Sequence, residues 1–501
     1  LDLLADVIDD HSRGWGHITT RQNIQFHFVE LAEIPEVMRR MAEVGLTTRE
    51  ACGDTVRNVQ GCHLAGACPM EILDVTPWSE AVYRHFVRNP LSQRLPRKFK
   101  INFSGCDTDC GQAMFNDVGV VAATRTFSDG SVERGFRVYI AGGLGTTPFP
   151  ALALEEFTPR EDLLATIEAV LRVFEQTGNR DNKLRARLKW VVDQLGIDEV
   201  RRRVVAIRKL LPASATWPGG VPELVADWGD EPAGLADGVT PTAMGQGTPV
   251  TLGAKSDYDR WVEANVVRGA ANGTVSAYAW CELGDVTSAQ FRSVAAMVRE
   301  FDTDVRVTNR QNLVMRDLTE DQLPALYERL VAANMAMAGA ELSRDVVACP
   351  GADTCNLAVT QSRGLANAIG AALEEAGLAE VGGVRMNISG CTNSCGQHHT
   401  ADIGFFGAER RAHGQPAPGY QMLLGGYVGQ TQVHFGQKAL RLPAKNAAEA
   451  TVRVVRRFAD ERQAGERFID WMHRSGGVNE VASGLKDLDQ FPPPDENPEF
   501  Y

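Results

Sequence analysis

CPGADTC (residues 349–355) and GCTNSCG (residues 390–396) set four cysteines as a C-x5-C pair followed by a C-x3-C pair. The first half of the chain repeats the pattern: CHLAGAC (residues 62–68) is followed by GCDTDCG (residues 105–111). Four soft thiolates in two short clusters are what a [4Fe–4S] cube requires, one sulfur to each iron. Zinc is the rival ligand, but its cysteine pairs are usually spaced C-x2-4-C, so C-x5-C with C-x3-C favours iron–sulfur. Gly105, Gly111, Gly390 and Gly396 supply the backbone freedom that a loop wrapping a cube needs.

The same order and spacing in both halves mark an internal duplication. ITTRQNIQF (Ile18 to Phe26) pairs with VTNRQNLVM (Val307 to Met315) at an offset of 289, which drifts to 287 at Cys62/Cys349 and 285 at Cys106/Cys391. NDVGVVA (Asn116 to Ala122) matches ADIGFFG (Ala401 to Gly407), and glycine-rich turns follow in both copies. Each copy reads as a small α/β unit ending in the RQN strand and a helix, then a larger α/β unit carrying the cysteines. KFKINFSG and FRVYIAGG alternate like strands. EDLLATIEAVLRVFEQTG and AAEATVRVVRRFADERQ carry the apolar stripe of amphipathic helices.

The expected units are 1–48, 49–211, 250–338 and 339–475, with a Pro- and Gly-rich acidic linker at 212–249 and an extended tail at 476–501 that straps the surface. A strand-like stretch, GTVSAYAWCELG, precedes the second RQN segment, while only a helix, LDLLADVIDDHSRG, precedes the first. A leading strand is therefore expected to belong ahead of Leu1.

The net charge of −13 argues against general nucleic-acid binding, which wants a basic face. No run of 18 apolar residues occurs, so no membrane span is expected. Eight of the ten cysteines sit in the quartets, too few and too clustered for a disulfide scaffold, which fits a reducing, cytoplasmic setting. Cys52 and Cys281 read as ordinary buried thiols.

Cations gather near the cysteines. Arg21 sits in TTRQN, Arg57 lies five residues before Cys62, and Arg344 lies five before Cys349. Lys98 and Lys100, in LPRKFK, leave a strand on the same face. Converging Arg and Lys suit a small oxyanion or a set of carboxylates; solvated surface charge is the plain alternative.

TTRQNIQFHF, RNV at Arg57 to Val59, LPRKFK, CPGADTC and GCTNSCG, in their duplicated layout, resemble the sulfite and nitrite reductase haemoprotein family over almost the whole chain. The resemblance implies an α+β fold of three domains with pseudo-twofold symmetry and cofactors at the domain junction. It implies a [4Fe–4S] cluster on Cys349, Cys355, Cys391 and Cys395, with Cys395 shared with the iron of sirohaem. Arg21, Arg57, Lys98 and Lys100 match the family's oxyanion-binding residues, and Asn393 a residue near the sirohaem rim. Most assimilatory members lack cysteines in the first half. Here Cys62, Cys68, Cys106 and Cys110 are all present, which implies an accessory cluster, with or without its own sirohaem. The mirror cations are Arg310 for Arg21, Arg344 for Arg57 and Arg385 for Lys100, while Gly383 falls where Lys98 would be. Arg310 and Arg344 are thus expected to contact cofactor.

The implied reaction is the six-electron reduction of sulfite to sulfide, or of nitrite to ammonia. Lys100 favours sulfite, because nitrite-reducing members tend to have Asn there; NSCGQ with ADIGF looks more like the nitrite branch. A two-cluster electron carrier is the non-enzymatic alternative, but it leaves the matched arginines and LPRKFK unexplained. No G-x-G-x-x-G nucleotide fingerprint is present. Electrons must then come from a separate protein, and the resemblance implies ferredoxin. RARLKW and RRRVVAIRK (Arg185 to Trp190, Arg201 to Lys209) form the densest basic stretch, expected either to dock that acidic donor, to meet cofactor carboxylates, or to be a solvated helix face.

Overall fold

In the computed structural model, two five-stranded sheets repeat one topology. The structure describes residues 1–212, 225, 229–236, 255–430 and 432–501, so most of the expected 212–249 linker lies outside the described residues. The first sheet runs Val56–Gln60, Phe99–Ser104, Val118–Thr126, Val132–Ile140, Leu152–Pro159. The second runs Val347–Ala348, Met386–Ser389, Ile403–Gly407, Gly419–Leu424, Gln437–Pro443. In each, the first three strands are parallel and the last two antiparallel. Even the register repeats. Ile101 faces Val118 and Met386 faces Ile403, each number rising by 285.

The alternation of the Phe99–Ser104 strand aims the site. Phe99 and Ile101 are fully buried, and Phe99 packs against Phe174 with ring centroids 5.6 Å apart. Burying each is worth about 1.5–3 kcal/mol. A one-residue slip would expose both and bury the lysines, so hydrophobic packing sends Lys98 and Lys100 to the opposite face. The helices Leu163–Thr177 and Ala447–Glu461, both 15 residues long, cover their respective sheets.

The two RQN-bearing units share one core. Leu4, Val7 and Ile8 of the helix Asp2–His11 pack with Phe291 and Val294 of the helix Ser288–Phe301. The strand Trp15–Ile18 pairs with Asp285–Thr287 from the other copy. RQN itself is not a strand. Arg21 to Asn23 form the tip of the hairpin joining Trp15–Ile18 to Ile24–Phe26, and Gln22 and its counterpart Gln311 both take positive φ, 55° and 68°. The sheet ladder ends there because this left-handed turn breaks strand geometry. In the tail, Phe491 is buried under Arg410 and its carbonyl bonds His413, so the chain end crosses the hairpin Arg410–Ala412/Gln415–Ala417. Among the described residues no helix is long and apolar enough to cross a membrane.

Candidate functional site

The hairpin tips interlock the halves. Thr20 donates its hydroxyl to the carbonyl of Cys395 at 2.9 Å, and Asn309 donates its side-chain amide to the carbonyl of Cys110 at 2.5 Å. Each tip therefore reaches the cysteine loop of the opposite half. The first tip faces a cavity of about 1730 Å³, well above the 300–1,000 Å³ or so of an ordinary ligand site. Six arginines and four lysines line it among the described residues, against two glutamates.

Arg21 is held in this cavity by a fan of neutral acceptors. Nη1 donates to Asn102 Oδ1 at 3.0 Å, Nη2 to the Asn58 carbonyl at 2.9 Å, and Nε to Asn58 Oδ1 at 3.3 Å. Burial lowers its pKa to about 9, which leaves it charged at neutral pH. Burial, then the charges of Arg21, Arg187 and Lys98, push Lys100 well below the ordinary lysine range. Lys98 is lowered by burial and by Arg187, and Lys189 falls to about 8 for the same two reasons. Cations that depress one another in this way create a field that an anion relieves.

Asp117 organises the lysine wall. It is fully buried, accepts the Lys100 N–H at 2.9 Å, and holds Arg187 through both oxygens at 3.2 and 2.6 Å. Removing one partner of such a pair leaves an uncompensated buried charge, which costs roughly 3–5 kcal/mol. Asp117→Asn is expected to lower the denaturant midpoint by an amount of that order. A change within about 0.5 kcal/mol would show that Arg187 is not anchored there.

The remaining expected site residues divide. Arg57, Asn393 and Cys395 line the large cavity, together with Cys349 and Cys355. Arg57 is anchored by the carbonyls of Ala51 and Gly53. Arg310 and Arg344, expected on cofactor, do not reach this cavity. Arg310 lies beside a separate void of about 30 Å³, ion-paired with Glu341 at 3.0 Å. Arg344 turns away to Glu374 at 2.7 Å and packs over Trp280. Their acidic partners hold them, whereas Arg21 and Arg57 meet only neutral oxygens.

The basic stretch also separates in two. Arg185, Arg187, Lys189 and Trp190 of RARLKW line the large cavity. The arginines of RRRVVAIRK are neutralised by their surroundings: Arg201 by Asp198, Arg202 and Arg203 by Glu199, and Arg208 by Glu155. Sequence reasoning missed Asn58, Asn102 and Asn116, which orient Arg21, and Asp117. Asn102 was signalled by its place two residues beyond Lys100, on the same strand face.

Both quartets gather. Cys391 senses the charges of Cys349 and Cys355, and Cys395 those of Cys349 and Cys391. Cys349 Sγ accepts the Gly390 N–H at 3.3 Å. In the first half, Cys62 and Cys110 are in side-chain hydrogen-bond contact, with Cys68 and Cys106 close enough to act on them. Among the described residues no three His, Cys, Asp or Glu side chains are arranged to hold a single metal ion. A four-iron cube asks for a wider set, one thiolate to each iron. The loops are shaped by close approach: a Cβ at Gly396 would meet the Ile388 carbonyl at 2.1 Å, and at Gly111 the Phe103 carbonyl at 2.0 Å. The buried Ser394 Oγ, beside Cys395, lacks a protein partner. A cluster next to a polycarboxylate macrocycle fits this combination of thiolates, cations and volume.

Asp402, the counterpart of Asp117 (117 plus 285), directly precedes the strand Ile403–Gly407, and burial raises its pKa to about 7. The unfolded carboxyl titrates near 3.9. Asp402 therefore contributes stability that is full below about pH 4 and is lost as pH rises through about 7. Asp402→Asn is expected to gain stability relative to the parent between about pH 5 and 8. Parallel melting curves for the two proteins across that range would refute the raised pKa.

The chain matches the family model for the nitrite and sulphite reductase 4Fe-4S domain over residues 52–209 and 339–486. It matches the nitrite/sulfite reductase ferredoxin-like half domain over residues 1–44 and 270–333. It is 29% identical over 491 residues to an assimilatory ferredoxin-dependent nitrite reductase of Haloferax mediterranei, covering 95% of this chain and 79% of that one. It is 30% identical over 484 residues to a ferredoxin sulfite reductase of Mycobacterium tuberculosis, with the same coverage. The solved structure of the Mycobacterium tuberculosis NirA protein superposes with a TM-score of 0.76 at 29% identity, over 94% of this chain and 80% of that one. Each domain model matches once in each half, as the repeated sheets and paired hairpins require, and the chain belongs to the nitrite and sulfite reductase family.

Proposed function

We propose that this protein reduces sulfite to sulfide by six electrons, with ferredoxin as donor. The reading rests above all on the large cavity, lined among the described residues by six arginines and four lysines against Glu50 and Glu80, with only Arg97, Lys183 and Arg187 of those cations paired to Asp54 and Asp117, beside three cysteines of the second quartet. A two-cluster electron carrier has no use for such a chamber. Cys349, Cys355, Cys391 and Cys395 would hold a [4Fe–4S] cluster, and Cys395 would share its sulfur with sirohaem. Cys62, Cys68, Cys106 and Cys110 would hold a second cluster. When bound, the cofactors would supply electrons one at a time to the oxyanion.

The chain's own residues do the rest. Arg21, Arg57, Lys98 and Lys100 draw the oxyanion in and neutralise it. Arg187 and Lys189 extend the same wall towards cofactor carboxylates. Lys98 and Lys100, whose pKa values lie below the ordinary range, release protons more readily than exposed lysines as substrate oxygens leave as water. A reducing compartment such as the cytoplasm would suit eight cysteines gathered in two quartets.

Nitrite reduction is the second reading, favoured by NSCGQ with ADIGF and by the Haloferax mediterranei relative. Turnover of both anions by one holoenzyme preparation decides between them. A higher kcat/KM for sulfite is expected, and a higher value for nitrite would reverse the assignment.

A further inference from the structure

The two quartets face cavities of very different size. Beside Cys395 the cavity holds about 1730 Å³, while the space beside its counterpart Cys110 holds about 30 Å³. The residues around the small void are related by the duplication to those of the large one. Arg310 stands for Arg21 (21 plus 289), Arg385 for Lys100 (100 plus 285) and Gln112 for Gln397 (112 plus 285).

Two changes fill the mirror space, and a third follows the second in sequence. Glu341 stands where the first half has Asp54 (54 plus 287). Asp54 pairs with Lys183 and Arg97, two cations of the large cavity's wall, but the longer Glu341 reaches Arg310 Nε and Arg385 Nη2, each at 3.0 Å. His63 replaces Pro350 (63 plus 287), and its Nε2 lies 2.8 Å from the Tyr278 hydroxyl, with both side chains buried. Leu64 replaces Gly351, and it too is buried. A carboxylate-bearing macrocycle entering here would have to displace Glu341 from two guanidiniums and evict an imidazole.

The cysteine side of the same site is intact. Cys62 and Cys110 touch, Cys68 and Cys106 stand beside them, and Asn309 anchors the Cys110 carbonyl as Thr20 anchors that of Cys395. The close approach at Gly111 reproduces that at Gly396. Loss of the macrocycle's space with retention of the thiolate cradle separates two functions that are joined in the second half.

We propose that Cys62, Cys68, Cys106 and Cys110 hold a [4Fe–4S] cluster that has no sirohaem partner and serves only in electron transfer. This rests on the reductase reading for the second half alone. With no open metal position for substrate, the cluster is reduced by one electron from a reduced iron–sulfur donor protein and is reoxidised when it passes that electron on.

The test is cofactor stoichiometry of the anaerobically purified full chain. About eight acid-labile sulfides with about one sirohaem per chain are expected. Cys110→Ser is expected to lose about four of those sulfides while keeping the sirohaem absorption band. A plateau at about four sulfides in the parent protein, about two sirohaems, or zinc in place of the missing iron overturns the proposal. A Cys110→Ser protein that loses sirohaem in step with sulfide also overturns it. If that variant is insoluble, the parent counts decide alone. About eight sulfides with no sirohaem at all would leave this assignment standing and overturn the reductase reading instead.

Discussion

Cys395→Ser should leave a folded chain whose six-electron turnover has fallen by more than about 100-fold, beyond the 10–100-fold typical of losing a mere supporting partner of a metal site. The backbone role of residue 395 survives the change, because Thr20 bonds its carbonyl and not its sulfur. What is lost is a soft ligand facing the cationic cavity. Burial raises the Cys395 thiol pKa, and Cys349 adds to the rise, but Lys100 and Lys98 act against it. The two lysines on the cavity side thus favour the thiolate that the proposed bridging role would need. Serine offers a harder oxygen that binds iron less well. The optical spectrum should show cluster and sirohaem no longer perturbing one another, and turnover should be compared at matched cofactor loading. Full loading with undiminished activity would remove Cys395 from its assigned place.

The duplication, the quartets and the sheet alternation were legible because they are local. Spacing alone announces C-x5-C with C-x3-C, and Phe99 and Ile101 between lysines announce which face is buried. What the sequence hid depends on partners far away along the chain. Arg310 and Arg344 match Arg21 and Arg57 by position, yet each is tied to a glutamate, Glu341 or Glu374, and neither lines the large cavity. Asp117 and Arg187, 70 residues apart, meet only once both strand and helix are packed. Two signals were present and went unread. Asp198 and Glu199 precede the arginines of RRRVVAIRK at helix spacing, so the stretch neutralises itself. CHLAGAC against CPGADTC already contains the exchange of Pro for His that fills part of the mirror space.

Lys100→Asn should shift the ratio of kcat/KM values from sulfite towards nitrite by roughly 10- to 100-fold, the range that follows from about 1.5–3 kcal/mol for a hydrogen bond to a charged group. The local structure tolerates the exchange. The Lys100 backbone N–H, not its side chain, bonds Asp117, and Phe99 and Ile101 keep the strand in register. Only the cation at the cavity wall changes. Removing it takes away one charge from a cluster that also holds Arg21, Arg187 and Lys98. A singly charged anion then loses less than a doubly charged one, because the lost attraction scales with the ligand's charge. The effect should shrink as salt is raised only to the extent that the cavity admits counterions. An unchanged ratio would show that Lys100 does not face the substrate, and the preference for sulfite over nitrite would lose its physical basis.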